Sequence, residues 1–189
     1  LLWDLYQAFF SISKEAKVAI IELLANDEPP TFETLNSKEN SPFLLICDHA
    51  GNRIPRCLGS LGLRDDDLNS HVAWDIGAAA VTRLMAQELK APAILQTYSR
   101  LVIDCNRAPD SDSSIVDLSE YTAVPGNYDL PRFQRDLRES EIFRPYHARI
   151  SSELEWRQIH KMPTVLVSSP HALGFDGFSQ MQQVFRSHR

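Results

Sequence analysis

The strongest constraint in this chain is FLLIC at 43–47, five apolar residues that run without interruption into the polar DHAGN. Continuous apolar character over so short a span is the pattern of a strand buried on both faces, as in a parallel sheet covered by helices. Its carboxyl end opens into a loop, and in open α/β sheets ligands bind beyond the carboxyl ends of the strands. AILQTY at 93–98, LVIDC at 101–105 and TVLVS at 164–168 predict three further strands. Helical patterns lie between them. DDDL at 65–68 starts one that Val72, Ile76, Ala79, Ala80, Leu84 and Leu89 continue to about residue 90. Residues 131–160 form another, with Pro131 in a first turn and Pro145 forcing a kink or break. Strands alternating with helices predict an α/β fold, a mixed, mostly parallel sheet flanked by helices.

Two stretches precede this unit. In 1–25, Leu2, Tyr6, Phe9 or Phe10, Ser13, Ala16, Ile20 and Leu23 or Leu24 recur at three-to-four spacing, which predicts an amino-terminal amphipathic helix. Residues 26–42 hold three prolines among clustered Asn, Asp, Ser and Glu and read as a surface linker, so that the domain proper is 43–189. The polar stretch 106–130 is too long for a simple connection.

Charge narrows the partners. Nineteen basic against 25 acidic side chains leave a formal charge of −6, so no broad cationic surface exists to track nucleic acid or an anionic bilayer. Arg nevertheless outnumbers Lys 14 to 5, and its planar fork suits carboxylate recognition, which predicts a small anionic ligand. Cys47, Cys57 and Cys105 are an odd number without CxxC spacing, so neither a disulfide framework nor a thiolate zinc knuckle is indicated and a reducing cytoplasm fits. No apolar run approaches the ~18 residues of a membrane span, and Asp4, Lys14, Glu15 and Lys17 interrupt what a signal peptide keeps apolar.

The polar clusters at the strand ends hold the candidate chemistry. His49 stands where a buried strand meets a loop containing Gly51 and Pro55, a fixed backbone from which an imidazole projects into a crevice. His71 and Asp75 are four apart on the expected helix, the spacing of two ligands to one metal and equally of a surface pair. Asp104 and Asn106 precede Arg107, whose guanidinium Asp104 can orient while its outer edge receives an anion. Arg100 is either a second clamp or an ion-pair partner. His147 beside Tyr146 is either a donor to substrate or a packed aromatic pair. Cys105 is expected to turn away from Asp104 by strand alternation. His160 and His188 carry no pattern. No GxSxG, GxGxxG or GxxxxGK[ST] occurs, which removes the serine-hydrolase, dinucleotide and P-loop readings.

CDHAGNRIP (47–55), HVAWDIGA (71–78), SRLVIDCNR (99–107) and YHARI (146–150) together resemble, in order and spacing, the N-formylglutamate amidohydrolase family. The resemblance covers roughly residues 43–168. It implies a zinc-exopeptidase-like (phosphorylase/hydrolase-like) fold akin to zinc carboxypeptidases and aspartoacylase. It further implies hydrolysis of an N-acyl amino diacid, as in histidine degradation, with one Zn²⁺ per chain. Transferred onto this sequence, it makes His49 a metal ligand, Asp75 an acidic ligand or its partner, and His171 the final ligand. Asp104, Asn106, Arg107 and Arg100 would bind the substrate, and Tyr146 and His147 would contact it or the tetrahedral intermediate. The chain departs from the family pattern at its end. VLVSSPHALGFDG displaces His171 by about one residue behind Pro170, and nothing after Gly177 resembles the later strand that carries a glutamate base, which predicts a truncated or divergent carboxyl end. A catalytically incomplete member that retains the anion pocket is the second reading. A carboxypeptidase-like exopeptidase is the third, disfavoured because Asn52 stands where its glutamate would be.

Overall fold

The computed structural model describes residues 22–168. FLLIC forms β2 (Phe43–Cys47), flanked by β3 (Ala93–Gln96) and β6 (Val165–Ser168), both parallel to it. The expected apolar burial on both faces holds. Leu44 and Ile46 join the larger core with Ile94, Tyr98, Ile142 and Tyr146, whereas Leu45 and Cys47 face Ala86, Ala91, Ala93 and Leu95 on the other side. A fourth strand, β1 (Phe32–Leu35), pairs antiparallel with β3 and gives the order β1-β3-β2-β6, a mixed, mostly parallel sheet that does not close. This strand comes from the stretch read as a linker. Its polar residues suit an edge, and Glu33 there meets the Arg83 guanidinium at 2.7 Å. The packed unit starts earlier still, since Leu23 lies in the core. Residues 1–21 of the expected amino-terminal helix lie outside the described residues, and 22–25 are not helical.

The helix expected over 65–90 is two. A short α1 (Asp65–Leu68) is separated from α2 (Ala78–Glu88) by a segment whose carbonyls are taken by side chains. Arg100 donates to the carbonyls of His71 and Val72, and Ser99 to that of Ala73. Helical periodicity in the sequence therefore loses to tertiary hydrogen bonding, and α2 restarts only after Gly77, held at φ +86. Ile76 and Leu84, expected on the apolar stripe, are exposed, and Thr82 and Ala86 are what α2 buries.

LVIDC is not a strand. Leu101, Val102, Ile103 and Cys105 are buried, but in a turning loop whose backbone bonds go to side chains and turns. Asn127 donates to the Leu101 carbonyl at 2.9 Å, Arg138 to that of Val102 at 2.9 Å, and the Ser114 carbonyl accepts from Asp104 N at 2.7 Å. A buried backbone must be satisfied, and here side chains replace a sheet ladder. Arg138 is fully buried, donates also to Asn127, and is pushed down to about 10 by that burial. Beyond the loop stands a small separate hairpin, β4 (Leu118–Ser119) and β5 (Thr122–Ala123).

The expected 131–160 helix forms with one interruption. It runs as α3 (Arg132–Arg138), a π-helical segment Glu139–Phe143, then α4 (Arg144–Ile159). Pro145 explains the widening, because it has no N–H and its ring would strike the carbonyl of Glu141 in regular α geometry. That carbonyl accepts the Thr31 hydroxyl at 3.1 Å, and the Glu141 carboxylate takes the Leu23 and Leu24 N–H groups. No helix among the described residues is long and apolar enough to cross a membrane.

Two helix ends make a stability prediction. Lys90 and Lys161 sit at φ +47 and +53, and each is followed by the six-to-one bond of a Schellman end, Ala91 N to Ala86 O and Met162 N to Arg157 O. Glycine adopts that conformation without strain, so Lys90→Gly and Lys161→Gly are each expected to stabilise the fold by about 0.5–1 kcal/mol in urea unfolding.

Candidate functional site

Asp48 and His49 leave the carboxyl end of β2 and are buried. The loop is fixed by close approach: a Cβ on Gly51 would lie 2.1 Å from the Thr97 carbonyl oxygen, so only glycine lets DHAGN pass beside the end of β3. The His49 ring, 2% exposed, stands between two carboxylates. Its Nε2 lies 2.7 Å from Asp104 Oδ1 and its Nδ1 3.4 Å from Asp75 Oδ2. Burial opposes its charge, but the hydrogen bonds it makes to the Asp104 and Asp75 carboxylates prevail and raise its pKa to about 9. For Asp104, burial is the largest single influence and pushes upward, but the His49 hydrogen bond and charge, the Asn106 N–H and the Arg100 charge together hold it below the usual carboxylate value.

Asp104 organises more than the histidine. Its Oδ1 also accepts Asn106 N at 2.8 Å, an Asx turn, and its Oδ2 lies 3.9 Å from Arg107 Nε. The Arg107 side chain is 32% exposed, so a guanidinium oriented from behind faces outward. Arg100 differs. Its three nitrogens reach the Val72 and His71 carbonyls and, at 3.5 Å, Asp75 Oδ1, so it braces the segment that delivers Asp75. His71 and Asp75 do not share a helix face: exposed His71 contacts Glu120 at 3.0 Å, whereas Asp75 faces His49 and its N–H donates to the His49 carbonyl.

The π segment aims the next pair inward. Tyr146, fully buried, donates its hydroxyl to Asp48 Oδ1 at 2.8 Å. His147 Nε2 lies 2.9 Å from the Cys105 carbonyl, its ring 4.2 Å from that of Phe143, and burial lowers its pKa, leaving a neutral imidazole. The sequence places Asp48 in the same polar cluster as His49 but gives it no role. Burial raises its pKa above the ordinary carboxylate value, and the signal for it was its place directly before His49 at the end of a buried strand. Cys105 is buried, with its thiol raised well above the usual range by that burial, although loop packing and not strand alternation hides it. Glu153 on α4 is buried between Arg149 and Arg157 at 2.8 and 3.1 Å and is committed to them.

The same geometry bears on a metal ion. A histidine ligand usually rests one ring nitrogen on a carboxylate and offers the other to the metal, beside any acidic ligand that shares it. His49, Asp104 and Asp75 fit that scheme in kind. Among the described residues no group of three or more His, Cys, Asp or Glu is arranged to hold a metal, and His171 lies outside them.

In this mixed α/β fold the loop after β2 and the loop over 101–107 bring together a carboxylate-clamped histidine and an outward arginine. Comparison gives the class. The model of the family described as N-formylglutamate amidohydrolase matches residues 41–173, and the chain belongs to that family. It is also similar to the crystal structure of gene product Atu2144 from Agrobacterium tumefaciens, with 39% sequence identity and a TM-score of 0.76. That match covers 77% of this chain and 58% of the other, so the chain spans less than two thirds of its neighbour's length. No curated protein matches the sequence.

Proposed function

We propose that the protein is a zinc-dependent amidohydrolase that cleaves N-formylglutamate, or a similar N-acyl amino diacid. Water adds its oxygen to the formyl carbon, the carbon–nitrogen bond breaks, and the amine takes the proton, yielding formate and glutamate. An architecture akin to zinc exopeptidases is part of this reading. The observation that carries it is the convergence on Asp104 of a buried histidine and a partly exposed arginine, one suited to a metal and the other to a carboxylate.

His49 and Asp75 would hold the zinc, with His171 the expected third ligand. Bound there, zinc supplies a Lewis acid that polarises the amide carbonyl and lowers the pKa of water. The chain's own residues do the rest. Arg107 receives a substrate carboxylate, Asp104 sets the orientation of both Arg107 and His49, and Arg100 holds Asp75 in reach. Tyr146 fixes Asp48 beneath the site, and neutral His147 offers a polar edge without competing for the anion. The odd number of cysteines, without CxxC spacing, supports a reducing, cytoplasmic setting.

Formate release from N-formyl-L-glutamate, compared with acetate release from N-acetyl-L-aspartate and cleavage of a dipeptide, tests the reading. Turnover of the formyl substrate, abolished by chelation and restored by zinc, is expected. Turnover of the dipeptide alone would instead favour an exopeptidase. Arg107→Ala is expected to raise KM for N-formylglutamate about 100-fold, since a charge-assisted carboxylate bond is worth about 1.5–3 kcal/mol. An unchanged KM would remove Arg107 from the substrate site.

A further inference from the structure

The hairpin of β4 and β5 takes no part in the main sheet, and two residues per strand cannot hold themselves together in water. Its feet are anchored by buried Ile115 and Val124, with Val124 N donating to the Asp117 carbonyl at 2.8 Å. One foot follows Ser114, whose carbonyl accepts from Asp104 N. The tip is moored elsewhere: the Glu120 carboxylate meets His71 Nε2 at 3.0 Å, on the segment that delivers Asp75. Glu120 is held at φ +54, where glycine would sit without strain, so the mooring to His71 is what a glutamate adds there. The hairpin thus arches from the loop that carries Asp104 to the segment that carries Asp75. Its tip presents Tyr121, 99% exposed, and Leu118 is exposed beside it.

We propose that this hairpin is the rim of the substrate site, with Tyr121 the specificity-determining side chain that closes against the N-acyl end of the bound molecule. The inference rests on the amidohydrolase reading and adds to it the contact for the part of the substrate that Arg107 does not hold. An aromatic ring covers a small acyl group and excludes water from it at little entropic cost, because it has only two rotatable bonds.

The test pairs steady-state kinetics on N-formyl-L-glutamate with calorimetric binding of the same compound at low temperature. Tyr121→Ala should raise KM and Kd about tenfold with kcat within about twofold of the parent, and Tyr121→Phe should behave as the parent. Glu120→Gly should raise KM without lowering Tm, because it relaxes the backbone while releasing the tip. Tyr128→Ala, an exposed aromatic outside the hairpin, should leave both constants unchanged. Parental KM and Kd in Tyr121→Ala would overturn the assignment while leaving the amidohydrolase reading intact, as would a fall in Tm with kcat and KM damaged together. A parent that neither binds nor hydrolyses any N-acyl amino diacid would overturn the substrate reading, and the rim with it.

Discussion

Gly51→Ala is expected to destabilise the protein by about 3 kcal/mol or more, and to lower Tm by on the order of 10 °C. The added methyl would lie 2.1 Å from the Thr97 carbonyl oxygen and 2.7 Å from its carbon, both backbone atoms that no rotamer change can move. Thr97 is itself pinned, its N–H shared between the Thr31 carbonyl at 2.9 Å and the Gln96 side chain at 2.6 Å. Relief has to come from the DHAGN loop, which would carry His49 out of register with Asp104. Gly77→Ala is the internal control. It has open space around it but a left-handed backbone at φ +86, so it should cost only about 1 kcal/mol from backbone strain. Equal losses in the two variants, measured by urea unfolding, would refute the close-approach argument.

Asp104→Ala is expected to reduce kcat/KM for N-formylglutamate by about 100-fold, the upper range for removing the carboxylate behind a metal-site histidine. One side chain serves three partners, His49, the Asn106 N–H and Arg107, so its loss leaves a buried imidazole and a turn unsupported at once. Asp104→Asn separates the contributions. It retains an oxygen for the Asx turn but not the charge that holds His49 and Arg107, and should fall between parent and alanine. A kcat/KM in Asp104→Ala within about threefold of the parent would mean that His49 is held by something else.

What the sequence made legible follows from how local the signal is. FLLIC, AILQ and VLVS announce strands because their apolar character needs no partner to be recognised, and all three form, the first two largely buried and VLVS more open. LVIDC carries the same composition and is not a strand, since nothing local reveals that Asn127 and Arg138, 26 and 36 residues away, take its carbonyls. The break between α1 and α2 has the same origin in Arg100 and Ser99. β1 was hidden for the converse reason, as its four residues lie among the flanking prolines and charges that read as a linker. At the site, His49, Asp104 and Arg107 were legible from their places at strand and loop ends. The bracing role of Arg100, the link from Tyr146 to Asp48, and the separation of His71 from Asp75 depend on contacts across the fold that spacing alone does not encode.

The most direct test of the account is zinc analysis of the purified chain, parent against His49→Ala, after saturation with zinc and removal of the excess. The account predicts about one zinc per parent chain and none retained by the variant, with both still folded by circular dichroism. A folded parent that retains no zinc, or a variant that retains as much as the parent, would contradict it.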